Sequence, residues 1–229
     1  MSLYERFTPA LHYFFLEEYP SAPVWVDRQQ AFTRSVAASS IVGYAVGLGD
    51  RHINNILLHK GTAEVVHIDL GIAFDQNKLL PVPELVPFRL TRNMIDGLGV
   101  RGTEGSLRPC AEAAMSLLRS KRELIRTILS SVMHDPLARW VIGAPSIPSH
   151  VGENAGDAPH DSHTRQHVPL RTHGSTADAA RTLARIDAKL RGNDGGDVLS
   201  VPTHVRKLVE EAQRVDCLAL MFPGWSQWV

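Results

Sequence analysis

Residues Gly47 to Gly71 read GLGDRHINNILLHKGTAEVVHIDLG, and three side chains in this stretch stand out: Asp50, then Asn55 with four residues between, then Asp69. Ile56–Leu58 and Val65–Ile68 are short β-type runs joined by a polar segment containing Gly61. Runs of that length around a polar turn predict a hairpin, and a hairpin returns Asp69 to the neighbourhood of Asn55.

Taken singly, each residue has an ordinary reading: Asp50 and Asp69 as turn residues beside glycines, Asn55 as a cap at a strand start. Together they fit phosphoryl transfer. That chemistry needs one carboxylate to orient or deprotonate an attacking hydroxyl, and oxygen ligands to hold magnesium on the phosphates. An Asp ahead of an Asn in one loop, followed by a second Asp after a strand pair, is the kinase arrangement. Asp50 is then the catalytic carboxylate. Asn55 and Asp69 are the metal ligands through which the cofactor, ATP, is bound, and their hard oxygens suit Mg2+, with Mn2+ as an alternative.

Working outward, residues 5–19 and 23–46 read as helices, the second rich in Ala and Ser after Ala37. Residues 69–88 hold three prolines and no periodicity, and a loop that long inside a compact domain is usually functional. Helical patterns return at 91–98, 106–119 and 121–134, with Leu117, Leu118, Leu124, Ile125, Ile128, Leu129 and Val132 as the apolar stripe. Residues 141–175 are polar, rich in Pro, Gly and His, and read as a disordered linker. Their histidines (His150, His160, His163, His167, His173) have irregular spacing and no cysteine among them, so they are read as solvated and not as a zinc site. Two more helices follow, near 176–191 and 201–215, and then the run MFPGWSQWV. Phe222, Trp225 and Trp228 are expected to dock against the rest of the chain, as a brace near the long loop. Ser226-Gln227 within that run reads as a structural turn, with self-modification as the other reading.

Composition bounds the partners. Lys+Arg and Asp+Glu both total 24, so no basic field points to nucleic acid. Cys110 and Cys217, each in an apolar helical run, read as buried free thiols of a reducing compartment, cytosol or nucleus. Neither a basic-then-apolar leader nor a membrane-length apolar stretch is visible, so no membrane partner is expected.

The order Asp50-Arg51-His52 and the motif Asp69-Leu70-Gly71 resemble the phosphatidylinositol 3-kinase-related protein kinases. The resemblance extends over TRSVAASSIVGYAVGL from Thr33 to Leu48, over AEVVHIDLGIAFDQNKLLPVPELVPFRLTRNMIDGLGV from Ala63 to Val100, and over LMFPGWSQWV, which is similar to the FATC segment ending these enzymes. The ataxia-telangiectasia-mutated branch is the nearest in pattern. The resemblance implies a mostly α fold: a kinase C-terminal lobe with a short hairpin over 1–140, the linker at 141–175, and terminal helices over 176–229 with FATC from about 198. It implies that His52 positions or neutralises the transferred phosphate, that Asp69 to Phe88 is the activation loop, and that Ser or Thr followed by Gln is the target. Nuclear DNA-damage signalling, telomere maintenance, a sensor complex and a homodimer of the full-length protein follow from it too. Lys78 is the one basic residue of the loop before Phe88, against Asp75 and Glu84, which disfavours a lipid kinase. The glycine-rich loop and strand lysine that cover ATP find no candidate, because the first 46 residues are helical and Gly47 and Gly49 read as turns. The upstream N-lobe and a helical solenoid are therefore expected partners, and the isolated chain is expected to be inactive, or else to act as an interaction module.

Overall fold

The computed structural model describes residues 3–134, 176–194 and 196–229. The expected linker at 141–175 lies outside them. Nine helices and two small antiparallel strand pairs make up the described residues: α1 (Leu3–Arg6), α2 (Leu11–Glu18), α3 (Ala22–Val46), β1 (Ile56–Leu58), β2 (Val65–His67), α4 (Arg92–Gly97), α5 (Leu107–Ser120), α6 (Arg122–His134), α7 (Thr176–Arg191), β3 (Asn193–Asp194), β4 (Asp197–Val198), α8 (Val201–Ala212) and α9 (Val215–Ala219). The mostly α architecture with one hairpin in the catalytic region is as expected.

The spine is α3. Its Phe32, Val36, Ala37 and Ile41 are buried, and Ala and Ser at neighbouring turns let α5 approach closely with Leu107, Ala111 and Met115 at four-residue spacing. The helix α8 enters the same core through Val205, Leu208, Val209 and Ala212. Ser200 starts α8, its hydroxyl accepting from the Thr203 N–H at 3.3 Å, with Pro202 in the first turn. A smaller cluster joins α6 and α7, where Met133, Ile186 and Leu190 meet Ala45.

Several sequence expectations are corrected. The first helix is two, α1 and α2, because 7–10 leave the helical path before Leu11. The helix expected over 201–215 ends at Ala212, and Arg214, in extended backbone, starts the separate turn α9. Within the apolar stripe of α5 and α6, Leu118, Ile125 and Leu129 pack inward, while Leu117, Leu124, Ile128 and Val132 face outward. Cys110 and Cys217 are free thiols, half-buried and not buried. No helix among the described residues is long and apolar enough to cross a membrane.

Candidate active site

α3 ends at Gly47, whose left-handed backbone (φ 64°) closes a Schellman turn: Leu48 N–H donates to Gly43 C=O at 2.8 Å and Gly47 N–H to Tyr44 C=O at 3.2 Å. A Cβ at Gly47 would lie 2.4 Å from the Asp75 nitrogen, so the residue is held to glycine by both φ and the loop lying on it. The loop of 69–88 is laced to this turn: Phe74 N–H donates to Val46 C=O and Asp75 N–H to Gly47 C=O.

Asp50 follows, also left-handed at φ 58°, and Asp69 is left-handed at φ 50°. Aspartate tolerates that conformation better than most residues, yet each still carries strain that its surroundings must hold. Arg51 holds both. Its guanidinium, on a side chain of a residue 3% exposed, donates to Gly49 C=O at 2.7 Å, to Ile68 C=O at 2.8 Å and to Asp69 C=O, the carbonyls flanking the two strained aspartates. Burial lowers the Arg51 pKa, and the carboxylates of Asp50, Glu84 and Asp69 oppose that shift.

The hairpin pairs Ile56 with His67, Leu57 with Val66 and Leu58 with Val65. Ile68 N–H donates to Asn55 C=O at 3.0 Å, so Asn55 and Asp69 sit at the two ends of the ribbon that joins them. Asn55 Nδ2 donates to Asp50 C=O at 2.8 Å and lies 3.5 Å from Asp50 Oδ2, which leaves Asn55 Oδ1 for a cation. His52 Nδ1 accepts from Asn54 N–H at 3.2 Å, and its Nε2 is 3.9 Å from Asp50 Oδ1. The Asp69 residue is exposed. The four residues singled out for chemistry are therefore gathered on one rim, and an amide oxygen plus a carboxylate is a donor set suited to magnesium that keeps waters and shares phosphate oxygens. No cluster of three or more His, Cys, Asp or Glu side chains among the described residues offers another metal site.

Features missed by sequence reasoning surround that rim. Leu57, Val66 and Ile68 form an exposed apolar face on the outer side of the hairpin; strict alternation in so short a ribbon was the available signal. Glu84, Arg89 and Lys189 hold the site and had no local signature, and Arg51, inside the Asp50-Arg51-His52 motif, was given no role there. Of the tail aromatics, Trp225 is 4% exposed and Trp228 is half-buried with its ring 6.2 Å from that of Phe7. Phe222 is 60% exposed, contrary to expectation. It caps the turn Pro223–Trp225, which aims Trp225 inward and folds the Phe222 ring back over Gly224, where a Cβ would meet it at 2.3 Å.

The profile described as Phosphatidylinositol 3- and 4-kinase matches residues 2–142, and that of the FATC domain matches 198–229. The chain belongs to the phosphatidylinositol 3- and 4-kinase family. Among curated members it is similar to the Serine/threonine-protein kinase ATM of Arabidopsis thaliana, 44% identical over 98% of this chain and 6% of that protein. It is similar also to the Serine-protein kinase ATM of Sus scrofa, 40% identical over 100% of this chain and 8% of that protein. Among solved structures, one described as the complete CtTel1 dimer with C2 symmetry superposes with TM-score 0.79 at 39% identity, covering 99% of this chain and 8% of that one. The chain thus spans less than a tenth of the length of these family members.

Proposed function

We propose that the chain supplies the catalytic and metal-binding half of a serine/threonine protein kinase that moves the γ-phosphoryl group of ATP to a protein hydroxyl. The observation that carries this reading is Asp50 and Asn55 hydrogen-bonded on one loop with Asp69 returned beside them by the hairpin. Asp50 orients the attacking hydroxyl and takes its proton. Asn55 Oδ1 and the Asp69 carboxylate hold Mg2+, which when bound neutralises charge on the phosphates. The His52 ring, tethered by its Nδ1, directs Nε2 toward the same space and offers a donor to a phosphate oxygen. Leu57, Val66 and Ile68 form an apolar floor for the flat face of the adenine.

The protein substrate is favoured over a lipid headgroup because Lys78 is the one basic residue of the loop before Phe88, which leaves the loop a weak anion receptor. An interaction module built on the tail aromatics is disfavoured, since Trp225 is already buried in the chain itself. The finer reading extends the proposal by the likeness of the motifs alone: Ser or Thr followed by Gln as target, nuclear signalling from DNA damage and at telomeres, a sensor complex, and a homodimer of the full-length protein, for which the CtTel1 dimer is the support. The chain alone is inactive on this proposal, needing an upstream lobe to cover the nucleotide. The test is phosphorylation by the full-length protein of a Ser-Gln peptide against a phosphoinositide vesicle, with Asp69→Ala alongside. Transfer to the peptide that Asp69→Ala loses supports the proposal; transfer to the lipid, or full turnover by Asp69→Ala, overturns it.

A further inference from the structure

The peptide groups on both sides of Arg51 are each gripped from outside the catalytic loop. Arg51 N–H, in the peptide shared with Asp50, donates to Glu84 Oε1 at 3.2 Å, while the carbonyl of that peptide accepts from Asn55. Arg51 C=O, in the peptide shared with His52, accepts from Arg89 at 3.4 Å. Both gripping side chains are in turn seated on the tail. Trp225 Nε1–H donates to the same Glu84 Oε1 at 2.7 Å. Arg89 donates to the backbone oxygens of Trp225 at 2.6 Å, Ser226 at 2.8 Å and Val229 at 2.8 Å, with its guanidinium 4.4 Å from the centre of the Trp225 ring.

We propose that Glu84 and Arg89 are positioning residues through which the docked tail holds Asp50 in its left-handed, reaction-ready conformation. This rests on the kinase reading of Asp50. The physical need is the φ of 58° at Asp50, which persists only where its surroundings over-determine it. Asn55 alone fixes one end of the Asp50–Arg51 peptide; Glu84 fixes the other. With Trp225 undocked, Glu84 loses a donor and Arg89 loses three acceptors, and both are released to move. Because the Arg51–His52 peptide is held by Arg89, His52 shifts with Asp50. The tail therefore reaches Asp50 and His52 through the two peptide groups of Arg51. A misplacement of a reacting group by about 1 Å costs up to a hundredfold in rate.

The experiment uses the full-length kinase, with turnover measured at saturating ATP and peptide, KM for both, and a melting curve. Trp225→Phe keeps one six-membered aromatic ring and removes the pyrrole ring with its N–H donor. Its kcat is expected to fall about tenfold, within that range, with KM values unchanged and a modest fall in melting temperature from the smaller buried ring. Glu84→Ala is expected to fall at least as far, and Glu84→Ala with Trp225→Phe no further, because both act through one carboxylate oxygen. Glu84→Gln is expected to restore most of the rate: its carbonyl still accepts both N–H groups, and its amide finds the unpartnered Asn77 Oδ1 after that amide flips. Wild-type kcat in Trp225→Phe, or losses that multiply in the double variant, overturns the proposal. Should Glu84→Ala not fold, Trp225→Phe alone decides. Asp69→Ala in parallel separates the two readings: if it is inactive while Trp225→Phe is fully active, the kinase reading stands and the positioning role falls.

Discussion

The acidic groups proposed to react and the cations packed around them are built in opposite ways. Asp50 and Asp69 stand at the surface in strained backbone, with few partners for their carboxylates. Arg51, Arg89 and Lys189 are buried or nearly so, and each spans several acceptors: Lys189 Nζ donates to Tyr44 C=O at 3.0 Å and to Asp75 Oδ1 at 2.8 Å, beneath the Tyr44 ring. Unspent acceptor capacity is what a metal or a hydroxyl needs on arrival. Rigidity comes from elsewhere, from cations whose donors are consumed by backbone carbonyls. Burial lowers the pKa of each cation; Arg89, brought down to about 10, stays charged at neutral pH.

If that division holds, mutating a reacting group abolishes rate and leaves folding intact. Asp50→Asn in the full-length protein is expected to lose about a thousandfold or more in kcat with an unchanged melting curve. Asn55→Ala is expected to lose less, because water replaces one metal ligand, and single-turnover assays at raised magnesium concentration would show partial recovery. A large drop in melting temperature for either variant would blur the division.

The holding residues should show the reverse order of effects. Arg51→Lys replaces a planar fork with a point charge that cannot reach Gly49, Ile68 and Asp69 carbonyls together. A loss of about 2–4 kcal/mol is expected in a denaturant titration, with activity falling in step. Lys189→Met leaves the buried Asp75 carboxylate with only Lys78 at 3.8 Å and Arg185 at 4.0 Å. A smaller loss, about 1–3 kcal/mol, is expected there, and limited proteolysis within 69–88 should speed up.

The mildest effect is a pH dependence. His67 is pushed from its usual 6.5 down to about 4, first by burial and then by the Arg51 cation. Opening the hairpin lets the ring bind a proton that the closed form refuses, so the closed form loses stability as pH falls from about 6.5 toward 4. Hydrogen exchange of the Ile56–His67 amides, corrected for intrinsic rate, should therefore quicken at pH 5 relative to pH 7. His67→Gln should flatten that difference.

What was legible from residues alone follows the distance over which each feature is determined. Asp50, Asn55 and Asp69 lie within twenty residues and are joined by a ribbon whose β-type runs announce it, so their return to one another could be read. Glu84 and Arg89 meet Trp225 across more than 130 residues, and Lys189 meets Asp75 across 114, with nothing in local periodicity to mark them. Phe222 was misjudged for a related reason. Composition says an aromatic run should dock, but the turn at Pro223–Trp225 decides which ring faces inward. The break at Arg214 was equally silent, since the apolar spacing runs on from α8 while the backbone does not.

Because α8 contributes Val205 and Leu208 to the same core as Phe32 and Met115, the lobe lacks part of its interior until those residues have been synthesised. Domains are generally completed in the order in which the ribosome delivers them. Here Asp50, Asn55 and Asp69 emerge well before the helix and the tryptophan that settle them. A nascent chain stalled after His134 would lack Val205, Leu208, Val209 and Ala212 of that core and the tail that grips Glu84 and Arg89. Between the appearance of Asp50 and that of Trp225 the loop around Asp50 is made but not yet gripped from the tail.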